Sequence, residues 1–181
     1  MIIQEWKKFK GWVVLEFFLK TDKEIHAKEL ARKLKISPHT ANYYLRFYRK
    51  CGILGVRKIG NLFLYSLLDN CLSRQLKIFY ILDILFEFSR KFCEMNRVTS
   101  LVVYGSHASG RYDEKSDIDL LIISQQKTLN LKEVKHLEKI TGKEVKIQIL
   151  SLGEWRSLKR KRDEFAQAIL SNHILLWGAE I

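Results

Sequence analysis

Proline is almost missing from this chain: Pro38 is the only one among 181 residues. No Gly- or Ser-rich stretch and no internal repeat is present, which excludes an ordinary flexible linker and leaves any domain boundary to be read from changes of pattern. Cysteine is scarce. Cys51, Cys71 and Cys93 form no CxxC pair and no zinc spacing, so buried or idle thiols in a reducing compartment are expected. Long apolar runs are lacking as well. The richest, Gly11 to Leu19, is too short to cross a bilayer and contains Glu16, so no membrane partner is expected. The N-terminus has neither a charged n-region nor a small-residue cleavage site, and a cytoplasmic location follows as the expectation.

What is present is an ordinary hydrophobic share, 47%, which suits a folded chain, and a strong excess of positive charge, +12. That charge is unevenly placed. Residues 1–75 hold 15 Lys+Arg against 6 Asp+Glu, whereas residues 76–181 hold 17 against 14. A positive field confined to one part points to a polyanionic partner there.

The pattern along the chain predicts two different halves. Residues 3–20 read as an amphipathic helix, with Trp6, Phe9, Val13, Phe17 and Leu19 near a 3.6 period. Residues 26–34 read as a second helix. Ser37-Pro38 is a strong helix start, Ser as N-cap and Pro at the first position, and the third helix runs to about Lys50 before Gly52. Two strands follow, Ile53–Val56 and Leu62–Leu67, with a turn at Ile59-Gly60-Asn61. Residues 70–96 form one long helical pattern. From residue 97 strands and helices alternate: strands at Val98–Tyr104, Ile118–Ser124, Glu144–Leu150 and His173–Trp177, and a helix at about 131–140. This argues for an α/β domain. The expected architecture is a two-domain α+β or α/β chain divided as 1–69, a connecting helix 70–97, and 98–181.

In residues 28–54 the apolar positions Leu30, Ala31, Leu34, Ile36, Ala41, Leu45, Tyr48 and Ile53 can meet in one small core, and about three residues separate the two helices. That leaves His39, Thr40, Asn42, Tyr43, Arg46 and Arg49 on the outer side of the second helix, as hydrogen-bonding and cationic types suited to base edges and phosphates. Arg57 and Lys58, beside the turn at Gly60, would make a basic wing. The words ELARKLKIS, HTANYYLRFYRKCGIL and GVRKIGNLFLYSL resemble the winged helix-turn-helix superfamily over roughly residues 10–67. The resemblance implies double-stranded DNA as a partner of residues 28–65, and a homodimer in which helix 70–96 is the pairing element.

The informative stretch of the second half is LVVYGSHASGRYDEKSDIDLLI, residues 101–122. Asp117 and Asp119 stand two apart at the start of an apolar strand and so share one face. Two carboxylates held close repel unless a cation lies between them, and Mg²⁺ is commonly held by one or two carboxylates plus substrate phosphates. Gly105 follows a buried-looking strand and Gly110 ends the next segment. Glycine lets backbone N–H groups approach a phosphate, Ser106 adds a hydroxyl, and a helical turn at His107–Tyr112 favours an anion at its start. A phosphate clamp beside a metal site is what transfer of a phosphate-linked group requires.

The spacing G-S-x-A-x-G, five residues, then S-D-I-D-L resembles the DNA polymerase β-like nucleotidyltransferases, in particular the minimal ones, at Gly105, Ser106, Ala108, Gly110, Ser116, Asp117, Asp119 and Leu120. The resemblance covers about residues 98–181 and implies a mixed sheet with flanking helices. It implies Mg²⁺ or Mn²⁺ on the catalytic Asp117 and Asp119. It implies a nucleoside triphosphate held by Gly105 and Ser106 with Gly110 and Ser116 nearby, and a helical protein as partner or acceptor. One departure matters. Family members usually bring a third carboxylate from the next strand, and here Glu144, Lys146 and Gln148 share that face, with Lys146 at the aligned position. Three readings are therefore open: a metal-dependent nucleotidyltransferase, a DNA-binding regulator that binds a nucleotide without turning it over, and an antitoxin-like interaction module.

Overall fold

The computed structural model describes residues 5, 6, 8–126 and 128–181. The chain divides into two compact units, Met1–Tyr80 and Ile81–Ile181.

The N-terminal unit holds α1 (Lys10–Lys20), β1 (Ile25–His26), α2 (Ala27–Leu34), α3 (Pro38–Lys50), β2 (Leu54–Ile59) and β3 (Leu62–Leu67). The first helix differs from expectation. Among the described residues Glu5 and Trp6 are helical, the chain bends at Lys8 and Phe9, and the helix resumes at Lys10 with Phe9 extended at its N-cap. Its buried side is therefore Trp12, Val14, Leu15, Phe18 and Leu19, while Trp6 and Phe9 are exposed. Residues 3, 4 and 7 of the expected helix lie outside the described set.

His26 belongs to a two-residue strand and not to the following helix. It caps α2 by accepting from the Glu29 N–H at 3.4 Å. Helix α2 ends where Lys35 turns left-handed (φ 53°), and Lys35–Ser37 form the turn. Ser37 then caps α3 through the Thr40 N–H at 3.0 Å, with Pro38 at the first position, as the Ser-Pro pair predicts. Leu30, Ala31, Ala41, Leu45, Tyr48 and Ile53 are buried together with Leu19, Ile25 and Leu54. Strand β2 is longer than expected and runs to Ile59, which leaves a two-residue turn at Gly60-Asn61, Gly60 supplying φ +56°. The sheet order is β1-β3-β2, antiparallel throughout.

Helix α4 (Cys71–Asn96) crosses the division between units. The boundary falls within the long helix and not at its start, because Ile81, Leu85, Phe88, Phe92 and Cys93 are core residues of the C-terminal unit. That unit continues with β4 (Ser100–Tyr104), α5 (Gly105–Ser109), β5 (Ile118–Ile123), α6 (Lys132–Thr141), β6 (Val145–Leu150), α7 (Leu152–Arg160), α8 (Glu164–Ser171) and β7 (His173–Gly178). The four strands lie in the order β6-β5-β4-β7. The β5–β6 pair is parallel, with α6 in the crossover that parallel pairing needs, and the other pairs are antiparallel.

Both faces of this mixed sheet are covered, which explains near-continuous apolar strands such as Ile118-Asp119-Leu120-Leu121-Ile122-Ile123. Leu101, Val103, Ile118, Leu120 and Ile122 face the α4 residues together with Val134 and Leu137 of α6. Val102, Leu121 and Ile123 face Trp155 of α7 and Ala166 and Ile169 of α8. Asp119 belongs to this second face, one step beyond the apolar cluster, where the helices cease to cover the strand.

Candidate functional site

The alternation of β5 puts Asp117 and Asp119 on one face, at the strand's N-terminal end. Pairing then brings three other strands to that end. Asp119 stands opposite Tyr104 of β4 in the antiparallel ladder and opposite Lys146 of β6 in the parallel one. Tyr104 in turn stands opposite His173 of β7. Register partners share a face, so His173, Tyr104, Asp119 and Lys146 form one row across the whole sheet.

Gly105 follows Tyr104 directly and opens α5 with φ +70°. A Cβ there would meet Asp119 Oδ2 at 2.9 Å, so the residue is glycine for two reasons, a left-handed backbone and a carboxylate in contact. Asn172 donates from Nδ2 to the Gly105 carbonyl at 3.0 Å and ties the turn to the start of β7. Gly110 ends α5 with φ +68° and donates its N–H to the Ser106 carbonyl. His107 is buried beneath α5 and stacks on Tyr112, centroids 4.4 Å apart.

The loop that delivers Asp117 is held from within. Ser116 Oγ donates to Asp113 Oδ1 at 2.7 Å and accepts from the Asp113 N–H at 2.9 Å. The Ser116 hydroxyl first, and then the Lys115 N–H at 2.9 Å, hold the Asp113 carboxyl below its ordinary pKa. Lys143 Nζ donates to the carbonyls of Asp113 (2.5 Å), Glu114 (3.3 Å) and Ser116 (3.1 Å). Ser116 thus closes the loop that delivers Asp117.

Electrostatically the site is dominated by Lys146. Its Nζ lies 2.6 Å from Asp117 Oδ2, and this bond raises the lysine's pKa. Burial raises the Asp119 carboxyl; the nearby Lys146 ammonium lowers it and the Asp117 charge raises it further. Tyr104 is raised by burial and by Asp119. Glu144 and Gln148, on the same face of β6 as Lys146, are exposed.

A divalent cation fits this donor set in a limited way. Asp117 and Asp119 offer carboxylates on one face, enough for a single ion whose remaining ligands are phosphate oxygens and water. Among the described residues no group of three or more His, Cys, Asp or Glu could hold a metal. Sequence reasoning located Gly105, Ser106, Asp117, Asp119 and Lys146. It missed Tyr104, Asn172 and His173, since no local spacing links residue 172 to residue 105.

On the N-terminal unit, His39, Tyr43, Arg46 and Arg49 are exposed on α3. His39, Asn42, Tyr43, Arg46, Phe47 and Lys50 line one concavity. Asn42 donates to the Pro38 carbonyl at 3.0 Å, and Thr40 bonds Ser37 at 2.8 Å. Arg57 is paired with Glu24 through both its Nε and a terminal nitrogen, and Lys58 lies over the Phe63 ring.

The nucleotidyltransferase domain family matches residues 85–176, and the chain belongs to that family. The match contains the glycine turn, both aspartates and Lys146. No curated protein matches the chain. Among solved structures, a toxin–antitoxin complex with AMP-PNP is 16% identical, covering 55% of this chain and 74% of that one with a TM-score of 0.39. A Sulfolobus solfataricus protein classed as a nucleotidyltransferase is 19% identical, covering 61% of this chain and 92% of its own, with a TM-score of 0.36. Likeness at this level bears on neither substrate nor activity. No described helix is long and apolar enough to cross a membrane.

Proposed function

We propose that the C-terminal unit binds a nucleoside triphosphate with a divalent cation and transfers its nucleotidyl group to an acceptor hydroxyl. The observation that carries this reading is the close placement of the Gly105 turn against Asp119, where a Cβ on the glycine would meet the carboxylate. It sets backbone donors for phosphate oxygens against a carboxylate that can hold a cation on the same phosphates. Asp117 and Asp119 would hold the ion, which supplies positive charge to the triphosphate. Gly105 and Ser106 orient the phosphates. The acceptor oxygen attacks the α-phosphorus, the bond to the bridging oxygen breaks, pyrophosphate leaves, and the acceptor's proton passes to solvent.

A second reading, nucleotide binding without turnover, is favoured by one feature. The resemblance aligns Lys146 with the family's third carboxylate, and the ammonium that lies on Asp117 there cannot take the acceptor's proton. In that case the chain is a nucleotide-responsive regulator.

The N-terminal unit is read as a winged helix-turn-helix that binds duplex DNA through α3. The support is the Lys35–Ser37 turn, the exposed His39, Tyr43, Arg46 and Arg49, and the β2–β3 hairpin. Duplex binding should weaken steeply with salt and be lost on Arg46→Ala/Arg49→Ala.

The deciding experiment is transfer from each of the four α-³²P-labelled nucleoside triphosphates with Mg²⁺ or Mn²⁺, using cell extract as acceptor. Label on a macromolecule, absent with Asp117→Ala/Asp119→Ala, supports the transferase. Metal-dependent binding without transfer supports the regulator. Neither transfer nor binding overturns both.

A further inference from the structure

Three charged side chains meet at the open end of the sheet: Asp117 and Asp119 from β5 and Lys146 from β6. Lys146 is the register partner of Asp119, and its stem runs back along the strand so that Nζ reaches Asp117 Oδ2 at 2.6 Å. A lysine side chain that is 57% exposed has free water on offer, yet its ammonium sits on the carboxylate. The neighbouring Glu144 adds a further negative charge to the field around it.

Consider what this does to cation binding. Two-ion sites place their metals about 3.5–4 Å apart and bridge them with shared carboxylates. Here two carboxylates are present and one already has an ammonium against it. A second divalent ion bridged through Asp117 would lie within a few ångströms of that ammonium and would have to displace it from the carboxylate, since the two like charges compete for the same oxygens. An ammonium, in turn, presents three donors to oxygen and carries positive charge without needing a coordination shell.

We propose that Lys146 is the resident cation of this site: its ammonium replaces a second metal ion, so that the protein holds a nucleoside triphosphate with a single divalent ion, and Lys146 supplies the other positive charge to the phosphates. The inference rests on the nucleotide-binding reading above, and it holds whether or not transfer follows. It makes Lys146 a binding residue and not a vestige of a lost carboxylate.

The test uses the full chain and native mass spectrometry, counting Mn²⁺ per bound nucleotide with ATP, GTP, CTP and UTP in turn, together with calorimetric affinities. The wild-type complex should carry one Mn²⁺ per bound triphosphate. Lys146→Ala should weaken triphosphate binding by about tenfold or more, the loss expected for one charge-assisted hydrogen bond. Lys146→Arg should retain both the affinity and the count of one. Lys146→Asp, which completes a three-carboxylate set, should raise the count to two. Circular dichroism of each variant confirms that the exposed position has not cost the fold. Two Mn²⁺ in the wild-type complex, or unchanged affinity in Lys146→Ala, would overturn the inference while leaving nucleotide binding intact. No binding of any triphosphate by any variant would overturn the nucleotide-binding reading and this inference with it.

Discussion

Gly105 leaves room for the Asp119 carboxylate: a methyl group added to Gly105 would stand 2.9 Å from Asp119 Oδ2. The same glycine holds φ at +70°, where an alanine is strained by about 1 kcal/mol. Gly105→Ala is therefore expected to displace the Asp119 carboxylate as well as strain the turn. Triphosphate affinity measured with Mg²⁺ should fall by more than the stability change alone implies, with the urea midpoint lowered only modestly. An unchanged affinity would separate the turn from the site.

Tyr48 anchors α3 to α1 by donating its hydroxyl to the Gly11 carbonyl at 2.7 Å in a buried position. Burial, assisted by Tyr44 and Cys51, pushes its pKa up to about 12. The unfolded value is about 10. The stability it contributes is fully present below about pH 10 and is lost as the pH rises through about 12. Tyr48→Phe should cost about 1–2 kcal/mol near neutrality and remove that part of the alkaline unfolding. Denaturant melts of both proteins at pH 8 and above pH 10 check the sign.

Trp155 is 1% exposed and packs with Val102, Leu121, Ile123, Ala166 and Ile169 on the face of the sheet that ends in Asp119. Among the described residues its Nε1 has no hydrogen-bond partner. Trp155→Ala should cost about 3–5 kcal/mol. Trp155→Phe should cost clearly less, because it removes the unpaired buried donor along with part of the packing. Equal losses in thermal or chemical melts would show that the indole N–H is not a burden to the fold.

The three thiols should react in two classes. Cys51 and Cys71 are exposed, whereas Cys93 is 1% exposed and burial pushes its thiol up to about 12. At pH 8 Cys93 carries almost no thiolate. Ellman's reagent should therefore titrate two thiols promptly in the native protein and the third only with denaturant. Three prompt equivalents would place the Cys93 segment of α4 in an opened state.

Most of the local structure was legible because short-range chemistry decides it. Ser37-Pro38 starts α3, the near-continuous apolar run of residues 118–123 makes a strand covered on both faces, and the Gly105-Ser106 and Asp117-x-Asp119 words stand out by spacing alone as a glycine turn and paired carboxylates. The apolar period of Trp6 and Phe9 predicts an unbroken helix, whereas the chain breaks at Lys8–Phe9, where Phe9 adopts an extended backbone. The two-residue strand Ile25–His26 is too short to show any period, and it exists only because β3 pairs with it.

Composition and spacing by themselves determined that this chain has a basic first half, two kinds of architecture, and a glycine turn followed by paired aspartates. Those are properties of neighbouring residues, and backbone periodicity is enough to express them. Only the tertiary structure decided what meets the aspartates. Strand order puts Lys146 opposite Asp119 and its ammonium on Asp117, and strand pairing brings Tyr104 and His173 into the same row. Asn172 reaches the Gly105 carbonyl only because β7 closes against β4. Hydrogen-bonded register sets these partners, and register between distant strands is fixed by burial of both sheet faces, which no local pattern records.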